Sequence, residues 1–129
     1  MTERQLLTAL TRHIRQTFKQ NVFWYKIPDS PMVTTPKPFD VFCIYDSFSF
    51  AFEFKKPANP VTPKQYENLM SFAHSGGLSY VATFQAIDEE HKTERNIIFK
   101  DLALDKEVTL LYKNGEYIDL INLFEQLLP

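Results

Sequence analysis

One cysteine and three glycines among 129 residues, and no apolar run approaching the ~20 residues that a membrane helix needs, exclude several classes of protein. A lone Cys43 cannot form an internal disulfide, and the polar start Met1-Thr2-Glu3-Arg4 lacks the basic-then-apolar order of a secretory leader. The expected location is therefore intracellular and cytoplasmic, with a nucleoid-associated or a viral setting both open, and no membrane partner is expected. Gly76-Gly77 has no helix signal after it, so it reads as a helix stop and not as a phosphate-cradling loop. His13, His74 and His91 show no ligand spacing with one another or with Cys43, which argues against zinc and against a nucleophilic triad; each reads as an ordinary histidine. There is no internal repeat, low-complexity stretch or linker.

What is present is a core. The hydrophobic share is 44% and the aromatic share 15%, with twelve phenylalanines, and a chain of this length folding as one domain over residues 1–129 buries about two-thirds of its unfolded surface. The net charge of -2 conceals an asymmetry: residues 1–64 hold nine Lys/Arg against five Asp/Glu, and residues 65–129 hold five against eleven. Lys26, Lys37, Lys55, Lys56 and Lys64 in the basic half either form a phosphate-tracking surface or are scattered, solvated lysines.

Thr2 with Gln5 matches a capping box, and Leu7, Leu10, Ile14 and Phe18 follow at helical spacing, predicting a helix from Thr2 to about Lys19. Glu3 extends that stripe backwards, where it either favours the first turn electrostatically or looks into a site. Val22 to Ile27 reads as a strand, and Pro28-Asp29-Ser30-Pro31 opens a loop that runs to the next strand at about Phe39. Trp24-Tyr25 can stack on a base or pack in a core. Thr62-Pro63-Lys64-Gln65 predicts a second helix, ending at Gly76-Gly77, and Leu78 to Phe84 a buried strand joined to the same sheet by a parallel crossover. Asn96 to Phe99 predicts another strand; Val108 to Lys113 and Glu116 to Leu120 flank the hairpin turn Asn114-Gly115, and Leu120 to Leu128 predicts a closing helix.

The most informative segment runs from Lys37 to Pro57. It reads as a β-hairpin turning at Asp46-Ser47. With a two- or four-residue turn, Tyr45 faces Phe48, Cys43 faces Phe50, and Asp40 faces Glu53. Opposed side chains have Cβ atoms roughly 4.5–5.5 Å apart, and two carboxylates at that distance repel unless a cation or a shared proton lies between them. Period two places Ala51, Glu53 and Lys55 on one face and Phe50, Phe52 and Phe54 on the other. A three-residue turn would throw Asp40 onto the opposite face. Glu-x-Lys on a strand is by itself usually a solvated ion pair; the matching phase of Asp40 is what distinguishes this one.

The order helix, strand, hairpin, helix, strand, with Phe39-Asp40, Phe52-Glu53-Phe54-Lys55-Lys56-Pro57, Gln65 opening the second helix and Gly77-Leu78-Ser79-Tyr80-Val81 entering the next strand, resembles the PD-(D/E)XK nuclease superfamily. Within it the likeness is to Holliday-junction-resolvase-like and VRR-NUC-like domains, and it covers residues 3 to 84, leaving 85–129 as an elaboration. The resemblance implies an α/β restriction-endonuclease-like fold: a mixed central sheet flanked by helices, with an α-β-β-β-α-β core plus a C-terminal hairpin and helix. It implies a metal-dependent endonuclease acting on DNA, branched DNA included, as a homodimer. Asp40, Glu53 and Glu3 would hold Mg2+, with Mn2+ substituting, Lys55 would orient or activate the attacking water, and Gln65 would help to position it, beside its capping role. Lys26, Lys37, Lys56 and Lys64 would contact nucleic acid. The pattern departs from the family in lacking proline immediately before Asp40; Pro28-Asp29 supplies a literal Pro-Asp, which ranks second because its loop setting suits an Asx-turn. The competing expectation is a catalytically silent nuclease-fold module that binds nucleic acid or protein.

Overall fold

A computed structural model describes residues 2–29, 36–86 and 94–129. Ser30-Pro31 and His91 lie outside the described residues. Helix α1 (Glu3–Phe18) begins at Thr2, whose hydroxyl accepts from the Gln5 N–H while the Gln5 side chain accepts from the Thr2 N–H. It leads through a 3-10 turn to β1 (Val22–Lys26), followed by β2 (Val41–Tyr45), β3 (Phe48–Lys55), α2 (Pro63–His74), β4 (Leu78–Ala86), β5 (Arg95–Asp101), β6 (Glu107–Lys113), β7 (Glu116–Ile118) and α3 (Leu123–Leu127). The closing helix is shorter than its apolar pattern predicts. Asp119 takes a left-handed conformation (φ 61°), so Leu120–Asn122 forms a 3-10 turn before α3 starts.

The seven strands lie in one sheet in chain order, β1 to β7. All neighbours are antiparallel except β3 and β4, which run parallel and are joined through α2. The sheet is therefore mixed, as the segment order implies. Asp46 and Ser47 both have positive φ (49° and 70°), the geometry that lets a two-residue turn match the right-handed strand twist. Tyr45 then pairs with Phe48, Cys43 with Phe50 and Val41 with Phe52, the even register expected.

That register sorts the aromatics. Phe50, Phe52 and Phe54 enter the main core with Leu10, Ile14, Trp24, Tyr80, Phe99 and Phe124. The Phe50 and Phe52 rings stack at 5.7 Å, and burying each such side chain contributes roughly 1.5–3 kcal/mol. On the opposite face Ala51 and Val81 pack with Leu69 of α2 and with Phe39. Phe39 falls short of β2 and instead packs edge-on against Phe72. Cys43 is fully buried, a small core residue. The second helix covers only part of its face, and the strand ends beyond it form a cleft.

Candidate active site

The ladder between β2 and β3 continues one residue past β2. The Asp40 N–H donates to the Phe52 carbonyl at 3.0 Å, and the Asp40 carbonyl accepts from the Ile27 N–H at 2.8 Å. Ile27, Asp40 and Glu53 thus form a row across three neighbouring strands, on the face that carries Ala51 and Lys55. The Asp40 side chain completes this anchoring: its Oδ2 accepts from the Phe54 N–H at 2.8 Å.

Glu53 is only 4% exposed. Burial, and then the charge of Asp40, push its carboxyl up to about 8, while Lys55 and Lys37 pull the other way and a hydrogen bond to Asp40 favours the protonated form. The Lys55 ammonium lies 3.8 Å from Glu53 Oε1. Gln65 reaches the same oxygen, donating from Nε2 at 3.1 Å, while its Oε1 accepts from the Thr62 N–H at 3.0 Å. One side chain therefore caps α2 and holds the acid.

Asp40 Oδ1 accepts from the Lys37 ammonium at 2.9 Å, and that ammonium also touches Asp29 Oδ1 at 3.1 Å. Burial alone would lower the Lys37 pKa, but the carboxylates of Asp40 and Asp29 overrule it and hold the ammonium more firmly protonated than usual. The two candidate aspartates are thus linked through one lysine, Asp40 inside the cleft wall and Asp29 largely exposed.

These residues line a cleft of about 580 Å³. Glu3, Lys26, Lys37, Asp40, Glu53, Lys55 and Gln65 all border it, as does Asp29. Glu3 stands at its rim, where Oε1 accepts from the Lys56 N–H at 3.0 Å and the Asn59 amide at 2.7 Å, tying the start of α1 to the loop after β3. Lys56 and Lys64 do not line the cleft; Lys64 pairs with Glu67 at 3.6 Å. Arg4 borders it and was not singled out from the sequence. The polar spacing Arg4, Thr8, Arg12, Arg15 along α1 was the available signal, beside the apolar stripe.

The donor set suits a hard divalent cation. Asp40 and Glu53 offer carboxylate oxygens, and their mutual repulsion is what a cation would relieve. Among the described residues no group of three His, Cys, Asp or Glu side chains is placed to hold a metal, so water and substrate oxygens would complete the shell, as magnesium prefers.

No protein-family profile and no curated protein sequence matches this chain. Solved structures do match. The chain is similar to a Holliday junction resolvase from Archaeoglobus fulgidus, an archaeal hyperthermophile, with a TM-score of 0.51 and 15% sequence identity over 80% of this chain and 85% of that one. The likeness is one of architecture, and the mixed sheet flanked by helices described above is a resolvase-like, restriction-endonuclease-like fold.

Proposed function

We propose that the chain is a single nuclease-like domain of the PD-(D/E)XK type, a metal-dependent endonuclease that hydrolyses DNA phosphodiester bonds. The observation that carries this reading is the row Ile27-Asp40-Glu53 with Lys55 on the same face, opening into a cleft in which Lys37 and Lys55 pair with the two acids. Asp40 and Glu53 would hold Mg2+ or Mn2+, which supplies Lewis-acid polarisation of the phosphate and a more acidic bound water. Lys55, on the same side as the acid pair, would stabilise charge as it builds on the phosphate. Gln65 fixes Glu53 in place. Lys37 holds Asp40 and gives a second cation to a phosphate entering the cleft. Glu3 sets the rim and has one carboxylate oxygen left for a water of the metal shell.

A branched substrate with two strands to cut suits a homodimer, and that assembly is part of the proposal by analogy. Incubation of the purified protein with linear, flapped and four-way DNA, plus magnesium or manganese, tests it. Cleavage abolished by Asp40→Asn and by Glu53→Gln is the expected result. One observation favours a second reading, a silent module that binds nucleic acid or protein: the Lys37 ammonium already neutralises an oxygen of Asp40 that a metal would use. Absence of cleavage on every substrate selects that module.

A further inference from the structure

We propose that the edge of the sheet along β1 is a track for single-stranded nucleic acid leading out of the cleft. Three observations on this strand and the helix beside it carry it. The first is an aromatic pair that the core does not use. Trp24 is buried, with its indole N–H donating to Thr11 at 3.0 Å, whereas Phe23 and Tyr25 are 55% and 48% exposed. Their rings lie 6.4 Å apart and within 19° of parallel.

The second is register. Tyr25 pairs with Phe42, and Phe42 with Ala51, so Tyr25 and Phe23 stand on the face that carries Asp40 and Glu53. At about 3.3 Å per residue and 4.8 Å between strands, the Tyr25 backbone lies roughly 8 Å from that of Asp40, and the Phe23 backbone roughly 14 Å. A nucleotide chain leaving the acid pair reaches both rings within its first few bases.

The third is charge on the other side of the same strand. A second cleft, of about 410 Å³, is lined by Thr8, Thr11, Arg12, Arg15, Gln16 and Lys26, so its described lining has three cations and no carboxylate. Arg15 of α1 donates to the Trp24 carbonyl at 3.5 Å and Lys26 of β1 to the Thr8 hydroxyl at 3.2 Å, two bonds that tie α1 and β1 together along the groove. Lys26 borders both clefts, so they meet at the end of β1. A cationic groove for phosphates beside stacking rings for bases is the combination that binds single strands without reading sequence.

A second copy of the chain fits this edge less well. Phe23 and Tyr25 each leave about half of roughly 200 Å² exposed, and with Ile44 the apolar patch is near 300 Å², against about 800 Å² per partner in a stable interface. Pairing β1 to β1 would also bring two copies of the Arg12, Arg15 and Lys26 groove together.

The track rests on the nuclease reading only for where the strand leads, so binding is measured apart from cleavage. Fluorescence anisotropy in EDTA compares the full-length protein on a labelled fifteen-base oligo-dT and on an abasic oligomer of equal length. The wild type is expected to prefer oligo-dT. Phe23→Ala with Tyr25→Ala should weaken that binding by about five- to a hundredfold and remove the preference, while Phe23→Tyr with Tyr25→Phe retains it. Arg12→Gln with Arg15→Gln should weaken both oligomers and lower the slope of log K against log salt by about 1.4. Equal wild-type binding of the two oligomers, or unchanged oligo-dT binding by the alanine pair, overturns the track. So does a fall in oligomeric mass of the alanine pair with binding unchanged, which would make the patch a self-association face. A protein that binds oligo-dT in this way but cuts nothing refutes the nuclease reading and leaves the track standing; one that cuts but shows no use of the rings does the reverse.

Discussion

Replacing Glu53 by glutamine should make the metal-free protein more stable at alkaline pH. The acid is 4% exposed, and its carboxyl is raised from an ordinary 4.5 to about 8 by burial first and Asp40 second. At pH 4 it is protonated in both folded and unfolded chains and contributes no pH-dependent penalty. Between 4.5 and about 8 the folded state keeps a proton that the unfolded state has released, so stability falls as pH rises through that window. At about 1.4 kcal/mol per pH unit the full penalty has a ceiling of roughly 5 kcal/mol, and water entering from the open side of the cleft trims it to about 2–3 kcal/mol. Glutamine carries no such penalty, accepts the Gln65 hydrogen bond and can donate to Asp40. Urea unfolding in EDTA at pH 4.5 and pH 8 measures the difference, with unchanged m-values as the sign that only stability moved. The expected outcome is near-equality at pH 4.5 and a variant more stable by about 2–3 kcal/mol at pH 8. Equal stabilities at both pH values, or a less stable variant at pH 8, would refute the reasoning. Magnesium at a hundred times its dissociation constant should then restore about 2.7 kcal/mol to the wild type at pH 8 and much less to the variant.

Lys55→Ala should lower magnesium-dependent cleavage by about 10²–10³-fold with circular dichroism unchanged, since its loss removes charge stabilisation while the buried Glu53 can keep its proton. Asp29→Asn should retain most metal binding by calorimetry, because the exposed Asp29 pairs with Lys37 and stands outside the Asp40–Glu53 row; a loss there with retention in Asp40→Asn would reverse the ranking of the two aspartates. Ser47→Gly should raise the melting temperature by a few degrees, relieving about 1 kcal/mol of left-handed strain at φ 70°, and an unchanged midpoint would show that the turn stores none.

Local chemistry made much of this architecture legible. The capping boxes at Thr2/Gln5 and Thr62/Gln65 mark both long helices, and the alternation through Phe50 to Lys55 sets the faces of β3 before any contact is known. What escaped depends on where separate pieces meet. Lys37 joins Asp40 to Asp29 through contacts that no periodicity encodes. The exposed partner in Trp24-Tyr25 is decided by which face α1 covers, and Arg12 and Arg15 matter only once β1 lies beside them. Leu120 to Leu128 has helical spacing, yet the backbone of Asp119 sets where the helix can start.

The order of the strands has a consequence for how the site comes to exist. Because sheet neighbours are also chain neighbours, every residue named at the cleft of the acid pair except Glu3 and Arg4 comes from one continuous stretch, residues 26–65, and the acid pair is aligned by a hairpin that can close before the chain is complete. Short sequence separations favour early formation. The strands after β4 extend the sheet away from the cleft, so their lengths and loops can drift over generations, or be rebuilt by design, while the distance between two carboxylates stays where a two-residue turn put it.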